Sequence, residues 1–352
     1  MPSRSRTPER GAPAHTPRAP PRLADPPRVG VLPWEPPMRR PQDRPQDRPQ
    51  DHEARMERAL LALDGLSTGD AFGERFFGEP ERVLLLIASR RLPAAPWLTT
   101  DDTAMALGIV EVLEEHGQVD QDALARAFAR RYQREPHRGY GRFAHEILSD
   151  IARGIPWQVA ARSVFGGEGS MGNGGAMRVA PVGAYFADDL DVVAREARAS
   201  AEVTHAHPDG AAGAVAVAIA AAMAVRMGAG EVARSGGALL EAALHHTPEG
   251  ATRVGLTKAL AMPLAEDPRR VAREIGCGQY VLSWDTVPFA LWCAARHLDS
   301  YEEALWATVS GLGDRDTTCA MAGGVVALCA GRASIPAAWL EARESIAPQT
   351  EE

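Results

Sequence analysis

Residues 311–328 read Gly-Leu-Gly-Asp-Arg-Asp-Thr-Thr-Cys-Ala-Met-Ala-Gly-Gly-Val-Val-Ala-Leu. The small apolar residues from Cys319 to Leu328 predict a buried helix, and the turn that enters it carries Asp314 and Asp316. Two acids removed from water repel each other unless they are protonated, paired with a cationic side chain or bound to a divalent cation. Arg315 lies between them, but neighbouring side chains point in different directions, so it is not an obvious partner for both. We therefore expect the rest of the chain to be organised around this acidic turn.

A second acidic turn with the same pattern lies far upstream. Residues 99–103 read Thr-Thr-Asp-Asp-Thr and precede an apolar helical stretch. If folding brings the two turns together, they supply only carboxylate and hydroxyl oxygens, which suit Mg²⁺ or Mn²⁺ rather than Zn²⁺. The alternative is structural, because Ser, Thr and Asp are ordinary helix N-caps and the helix dipole stabilises acids in a first turn. Either turn taken alone fits that alternative.

The N-terminal region differs in composition from the rest of the chain. Residues 1–50 contain 14 of the 27 prolines, ten arginines and five acids, with little apolar periodicity, which is typical of a disordered tail. Its formal charge is +5, so the remainder of a chain with net charge −8 carries −13. Such an acidic body disfavours nucleic acid as a partner. We predict a disordered tail over 1–52, a globular domain over 53–346 and a flexible C-terminus over 347–352.

The N-terminal tail does not resemble a targeting signal, and together with the cysteine pattern this predicts a cytoplasmic protein. The tail lacks the apolar centre of a secretory signal, and its prolines disfavour an amphipathic transit helix. The most apolar segment, residues 211–225, is shorter than the roughly 20 residues of a membrane span, so it predicts a central buried helix and no membrane partner. The cysteines have no Cys-x-x-Cys spacing and lie in apolar surroundings, which is typical of reduced thiols rather than of a disulfide framework or zinc site. They are Cys277, Cys293, Cys319 and Cys329.

Apolar periodicity in the globular part is helical, and no run alternates like a strand, so we predict an all-α domain of about twelve to fourteen helices. Helical patterns cover 101–116, 120–134 and 140–152, with Asp120 as a cap and Gly117 and Gly154 as stops.

Residues 65–77 carry a second helical pattern. Gly65, Gly69 and Gly73 recur every four residues, which places them on one helical face that a second backbone can approach closely. Asp70 and Glu74 are also four apart, so both can face the same space. The alternative is a solvent-exposed Asp and a Glu at the helix end.

A glycine-rich segment lies in the middle of the chain. Six glycines occur between residues 166 and 175, so the segment can adopt positive φ and present backbone N–H groups to a ligand. It matches neither a Walker nor a dinucleotide-binding fingerprint, and a flexible connection is the alternative. Downstream, His205 and His207 are too close in sequence to form a helical metal pair, and a capping or core role is the simpler interpretation of either one alone.

Taken in order, six segments resemble motifs of the ADP-ribosylglycohydrolase family, which includes the dinitrogenase-reductase-activating glycohydrolase. Each motif is weak alone, but six collinear motifs across roughly residues 60–330 are specific. The resemblance implies an all-α fold with two Mg²⁺ ions and hydrolysis of the bond between ADP-ribose and an arginine, serine or other acceptor, on a protein or a small molecule. The segments are 65–73, 100–107, 172–181, 204–210, 285–290 and 313–318.

The resemblance also implies site residues. The implied metal ligands unite the two acidic turns, and the implied ADP-ribose contacts lie on the glycine-rich segment and at the following histidine. Two cations about 3.5–4 Å apart can bind the ribose hydroxyls and lower the pKa of a bound water, while a carboxylate accepts the proton of the attacking water. We assign a catalytic role to Asp101 and Asp102 as well. The metal ligands are Thr100, Asp101, Asp102, Asp314, Asp316 and Thr317, and the ADP-ribose contacts are Gly169, Ser170, Met171, Gly172, Asn173 and His205.

Two residues depart from the family pattern. Seven residues after Asp70, where the family often has Glu, this chain has Phe77, with Glu74 and Glu79 on either side. We predict that Glu74 is the catalytic carboxylate, because it shares a helical face with Asp70. Arg315 stands where Thr or Ser is common, and its cation can either pair with a substrate phosphate or weaken metal binding.

Two other functions are compatible with the same motifs. A non-catalytic family member would bind ADP-ribose or serve a structural role, and a two-metal phosphoesterase would cleave the diphosphate instead of the glycosidic bond. All six implied ligands are present, which favours the hydrolase.

Overall fold

Helices make up the regular structure of the computed structural model, which describes residues 49–346. In that range, β-type pairing is limited to two isolated bridges, one between Trp97 and Arg343 and one between Gly172 and Leu282. The all-α prediction is confirmed. In chain order α1 to α17 are Pro49–Glu74, Pro80–Ser89, Asp101–His116, Gln121–Arg134, Arg142–Ala152, Trp157–Ala160, Gly174–Met177, Ala180–Tyr185, Leu190–Glu202, Pro208–Gly228, Gly236–His246, Ala251–Ala261, Pro268–Ile275, Ser283–Arg296, Tyr301–Val309, Arg315–Ala330 and Ala337–Ala342.

Helix ends follow the predicted signals closely. The three predicted helices between residues 101 and 152 are α3, α4 and α5. The side chain of Asp120 accepts a hydrogen bond from the N–H of Ala123, and Gly117 ends α3 with a φ of 63°. The described residues contain more helices than predicted because α6, α7, α8 and α17 have only four to six residues, too few to show a helical period. Helix α1 begins at Pro49, before the predicted start at Glu53; the rest of the predicted tail and residues 347–352 lie outside the described range.

The pair α1 and α16 forms the centre of the fold. A Cβ atom added at Gly65, Gly69 or Gly73 would lie 2.4, 2.2 or 2.2 Å from a backbone carbonyl oxygen of α16. Those oxygens belong to Gly323, Cys319 and Arg315, so the two helices run antiparallel with their backbones in contact. The predicted glycine face is therefore confirmed. This packing places the C-terminal turn of α1 beside the N-terminus of α16.

Helix α10 is the apolar core helix predicted from residues 211–225. It has the length and composition of a membrane span, but 89% of its apolar window is buried inside the fold. The ring of His207 caps its N-terminus by accepting a hydrogen bond from the N–H of Asp209 at 3.1 Å. All residues from Gly210 to Ala224 are buried.

The C-terminal segment closes over the chain just before α3. The N–H of Trp97 donates to the carbonyl of Ala342 at 2.7 Å, and the N–H of Glu344 donates back to Trp97 at 2.9 Å. Oε1 of Glu344 then accepts hydrogen bonds from the backbone N–H and hydroxyl of Thr99, at 2.7 and 2.6 Å. These contacts fix the backbone immediately upstream of Asp101.

Candidate active site

Three helix ends bring the acidic residues together. Asp70 lies in the last turns of α1, Asp101 and Asp102 open α3, and Asp314 and Asp316 lie at the N-terminus of α16. One carboxylate oxygen from each of Asp70, Asp102 and Asp316 lies within 4.8 Å of the other two. The two acidic turns predicted from the sequence therefore meet, and Asp70 joins them.

Asp70 connects α1 to the start of α3. It is fully buried, and its Oδ2 accepts hydrogen bonds from the N–H groups of Thr100 and Thr103, at 2.9 and 3.2 Å. Its Oδ1 accepts from the Thr100 hydroxyl at 2.9 Å, and its Oδ2 also accepts from the Thr103 hydroxyl at 2.5 Å. Burial raises the pKa of Asp70 to about 6, although these hydrogen bonds oppose the rise. Asp70 is thus a structural brace of the site as well as one of its acids.

Asp102 and Asp316 each have an unsatisfied oxygen. Their Oδ1 atoms are buried and receive no hydrogen bond in the described residues, which is costly for a carboxylate. Burial, followed by the charges of Asp70 and other acids, raises the pKa of Asp102 well above its usual range and that of Asp316 to about 6. Burial and the charge of Asp316 likewise raise the pKa of Asp101. Hard oxygen ligands without donors are suited to a divalent cation of the Mg²⁺ type.

Asp314 is joined to the glycine-rich loop. Nδ2 of Asn173 donates to Oδ2 of Asp314 at 2.6 Å and lies 3.1 Å from the Thr286 hydroxyl. Burial and the charge of Asp316 raise the pKa of Asp314 to about 7, against the opposing hydrogen bonds from Asn173 and Thr317. Asn173, predicted to contact substrate, therefore has its amide hydrogens committed to the protein. Its side chain holds the loop against the acidic centre.

Arg315 does not pair with the acids on either side of it. Its Nη1 donates to the carbonyl of Phe76 at 2.6 Å and its Nη2 to that of Leu312 at 2.8 Å. The guanidinium lies 4.7 Å from the centre of the Phe77 ring. The two departures from the family pattern thus contact each other, and Arg315 stabilises the end of α1 instead of neutralising Asp314 or Asp316.

Glu74 ends α1 near the acidic centre. It is partly exposed, and within residues 49–346 no donor hydrogen-bonds to its carboxylate. Burial raises its pKa, with the charge of Asp314 contributing and Arg75 opposing. A carboxylate with a raised pKa and free oxygens has the properties of a general base.

The glycine-rich loop adopts the backbone conformation predicted for it. Gly166, Gly167 and Gly169 have φ values of 70°, 99° and 81°. Some of its N–H groups are used within the fold: Gly172 donates to the Ser170 hydroxyl at 3.2 Å and Asn173 to the carbonyl of Val281 at 3.1 Å. Within the described residues, the N–H groups of Ser170 and Met171 donate no hydrogen bond, which makes them candidate donors to a ligand.

His205 lies against this loop. A Cβ atom added at Gly174 would approach its Nε2 to 2.9 Å, and one added at Gly172 would lie 3.4 Å from the same atom. Only glycine at position 174 therefore leaves room for the imidazole. His205 and the loop residues Gly172 and Gly174 therefore lie directly against each other.

Several residues of the site were not predicted. The sequence identifies Asp70 only as a neighbour of Glu74 on one helical face. Its position directly after Gly69, whose backbone contacts α16, is the signal that this acid lies beside α16. Thr103 gives no separate signal, and neither do Thr204, which lies 2.8 Å from Nδ1 of His205, and Arg178, which donates to the Thr204 hydroxyl. A threonine or arginine inside a motif does not show which side chain it contacts.

The fold and the site together define an all-α protein with an acidic centre at three helix ends. The family model described as ADP-ribosylglycohydrolase matches residues 51–351. The chain belongs to that family, and it is a glycohydrolase enzyme. The resemblance drawn from six motifs is confirmed.

Individual relatives agree with this assignment. The chain is 31% identical over 278 residues to ADP-ribosylhydrolase ARH3 of Gallus gallus, covering 70% of this chain and 74% of the relative. It is 26% identical over 301 residues to ADP-ribosylarginine hydrolase Tri1 of Pseudomonas putida, covering 82% and 75%. A solved structure described as an ADP-ribosylglycohydrolase-related protein complex superposes with a TM-score of 0.58 at 25% identity, covering 83% of this chain and 94% of that one.

Proposed function

We propose that this protein hydrolyses the glycosidic bond between ADP-ribose and an acceptor group, with two Mg²⁺ ions held by the acids of α1, α3 and α16. Mn²⁺ is an alternative ion of the same ligand preference. The observation that carries the proposal is the pair of unsatisfied, buried Oδ1 atoms on Asp102 and Asp316, in a cluster whose oxygens lie within 4.8 Å of one another. The residues proposed to hold the ions are Asp70, Thr100, Asp101, Asp102, Asp314, Asp316 and Thr317.

Divalent cations bound at these oxygens would supply Lewis acidity toward the ribose hydroxyls and would lower the pKa of water. The remaining work falls to the protein. The free N–H groups of Ser170 and Met171 bind the diphosphate, and His205 contacts the same part of the substrate. Glu74 accepts a proton from the water whose oxygen bonds to the anomeric carbon. The bond from that carbon to the acceptor breaks with its electron pair on the acceptor atom, and Glu74 returns the proton to that atom. Positioning of the ribose between loop and acids supplies much of the rate.

The substrate class follows from the relatives. Tri1 is named for ADP-ribosylarginine, and ARH3 is named as an ADP-ribosylhydrolase. We propose an ADP-ribosylated protein or small molecule as the substrate of this chain. We also propose a cytoplasmic location, which the four buried, unpaired cysteines support, since reduced thiols persist there.

A direct test combines calorimetry with product analysis. Mg²⁺, Mn²⁺ and ADP-ribose are titrated into the wild type and into Asp316→Asn, and both proteins are then incubated with ADP-ribosyl-arginine and ADP-ribosyl-serine peptides. We expect metal binding and release of intact ADP-ribose from at least one peptide by the wild type only. Binding of ADP-ribose without release from any substrate would indicate a non-catalytic protein. Cleavage of the diphosphate would indicate a phosphoesterase.

A further inference from the structure

Arg178 is a buried cation without a carboxylate partner in the described residues. Its side chain is 0% exposed. Nη2 donates to the carbonyl of Ser200 at 3.0 Å and to the Thr204 hydroxyl at 2.9 Å. The guanidinium lies over the ring of Phe128, 4.4 Å from its centre. Burial lowers the pKa of Arg178 to about 9, and the charges of Asp101 and Asp102 oppose this shift, so the group stays cationic at neutral pH.

The Thr204 hydroxyl links Arg178 to His205. It is buried and lies 2.8 Å from Nδ1 of His205. An arginine side chain can only donate, so the Thr204 oxygen accepts from Arg178 and has one proton of its own to give. Within the described residues its hydroxyl has no other hydrogen-bond neighbour. If Nδ1 carried a proton, the hydroxyl proton would be buried without an acceptor, which is unfavourable. Thr204 therefore donates to Nδ1.

The hydrogen bond from Thr204 to Nδ1 determines the protonation state of Nε2, the other ring nitrogen of His205. A neutral imidazole that accepts at Nδ1 carries its proton on Nε2. Burial, with the charge of Arg178, lowers the pKa of His205 to about 3, so the ring stays neutral. Nε2 makes no hydrogen bond to the described residues and faces Gly172 and Gly174 on the loop.

We propose that Arg178 acts through Thr204 as a positioning residue that holds His205 as a neutral Nε2–H donor directed at the glycine-rich loop. The ligand atom opposite Nε2 is then a hydrogen-bond acceptor, and His205 binds substrate without exchanging a proton with it. Only the identity of that ligand, an oxygen of ADP-ribose, rests on the proposed function.

The tautomer can be measured without any ligand. Long-range nitrogen–proton NMR spectra of the full chain labelled with ¹⁵N-histidine, assigned with His205→Gln, report which ring nitrogen is protonated. We expect a single Nε2–H tautomer in the wild type, unchanged from pH 5 to pH 8. Thr204→Val removes the donor and is expected to give averaged nitrogen shifts, whereas Thr204→Ser keeps the hydroxyl and is expected to preserve the tautomer. Arg178→Met is expected to behave like Thr204→Val if it folds; if it does not, the Thr204 variants still decide the question.

Thr247→Val is the matched control. Thr247 is equally buried, and its hydroxyl donates to the carbonyl of Ala243 at 2.7 Å and not to His205. We expect it to leave the His205 signals unchanged. A wild-type tautomer in Thr204→Val, or an equal change in Thr204→Ser, would overturn the proposal.

Binding and kinetics provide a second readout. Loss of one hydrogen bond to ADP-ribose is expected to weaken its affinity for Thr204→Val about three- to tenfold. In Thr204→Val we expect KM to rise by the same factor while kcat stays nearly unchanged, because His205 binds the ground state and the transition state alike. If the wild type binds no ADP-ribose, the proposed function fails while the NMR result still stands or falls independently. A fall in kcat at constant KM would contradict a purely positioning role.

Discussion

Asp316 lies in the first turn of α16, and the packing of that helix, rather than hydrogen bonds to its carboxylate, fixes its position. Its Oδ1 and that of Asp102 are buried without a donor in the described residues. Burial and neighbouring charges raise the pKa of both groups. Such an arrangement lowers the stability of the metal-free protein, and a bound cation relieves the repulsion. Stability and function therefore oppose each other at these two residues.

Replacing Asp316 with Asn separates the two effects. In EDTA we expect Asp316→Asn to melt at or above the wild-type temperature, because one repelling charge is gone. Mg²⁺ at about 100 times its Kd is expected to stabilise the wild type by about 2.7 kcal/mol and the variant by much less. Thermal scans with and without Mg²⁺ measure both. Asp267→Asn, at an exposed helix cap on α13, should change neither; an Asp316→Asn protein that keeps the full Mg²⁺ response would contradict the assigned ligand.

Glu74 gives a kinetic prediction at the same scale. Its carboxylate lies near Asp314 without a hydrogen-bond donor in the described residues, and its pKa is raised by burial. We expect Glu74→Gln to lower kcat about 10²–10⁴-fold, the usual range for loss of a general base, with ADP-ribose affinity changed less than about threefold. Glu79→Gln, five residues on and exposed, is the control and should keep the wild-type rate. Equal rates for Glu74→Gln and the control would show that another carboxylate accepts the proton.

At the scale of elements, the contact between α1 and α16 controls the acidic centre. The Cβ of an alanine at position 69 would lie 2.2 Å from the Cys319 carbonyl oxygen and 2.8 Å from its carbon. Backbone cannot move aside as a side chain can, so the two helices have to separate. Asp70 and Asp316 would move apart with them.

We expect Gly69→Ala to lower the free energy of unfolding by at least the roughly 1–3 kcal/mol typical of overpacking, and to weaken Mg²⁺ binding as well. Urea unfolding and calorimetry measure the two losses. Gly237→Ala is the matched control, because it also lies in a helix but its added Cβ would approach nothing closer than 3.8 Å. There alanine should be neutral or slightly stabilising, since it is the better helix former. An unchanged Mg²⁺ affinity in Gly69→Ala would show that the acids do not depend on this contact.

The elements also show what local sequence can and cannot predict. Spacing by four residues is enough to place Gly65, Gly69 and Gly73 on one face, because helix geometry is local. Their partner was not predictable, since α16 lies some 250 residues away and other helices are equally rich in small residues. The acidic turns of α3 and α16 were paired by ligand chemistry, but the bracing role of Asp70 depends on the angle at which α1 meets α3. No local pattern records such an angle.

At the scale of the whole molecule, the C-terminal segment packs against the acidic turn that opens α3. The segment after α17 pairs with Trp97, and Glu344 bonds both Thr99 and Arg138. The carbonyl of Arg138 in turn accepts the N–H of Asp101 at 2.7 Å. An isolated Glu near the C-terminus carries no sequence signal for this role, because its partners lie more than 200 residues upstream. The last described turn of the chain therefore supports the first acidic turn.

This closure predicts a pH-dependent contribution to stability. Burial would raise the pKa of Glu344, but the hydrogen bonds from Thr99 and the charge of Arg138 outweigh it and hold the pKa below its ordinary 4.5. A carboxylate whose pKa is lower in the folded state stabilises the fold above pH 4.5, and that contribution is lost as the pH falls through the folded value. We expect Glu344→Gln to be less stable than wild type by about 1–3 kcal/mol at pH 7, with the difference shrinking below pH 4.5 in thermal scans. Glu341→Gln, an exposed neighbour on α17, should match the wild type at every pH. A Glu344→Gln deficit that stays constant down to pH 3 would mean that the hydrogen bonds stabilise the segment without the charge.

The same variant tests the proposed metal site. Because Thr99 immediately precedes the proposed Mg²⁺ ligands at the start of α3, we expect Glu344→Gln to bind Mg²⁺ more weakly than the wild type at pH 7. Calorimetry on the intact chain measures this directly.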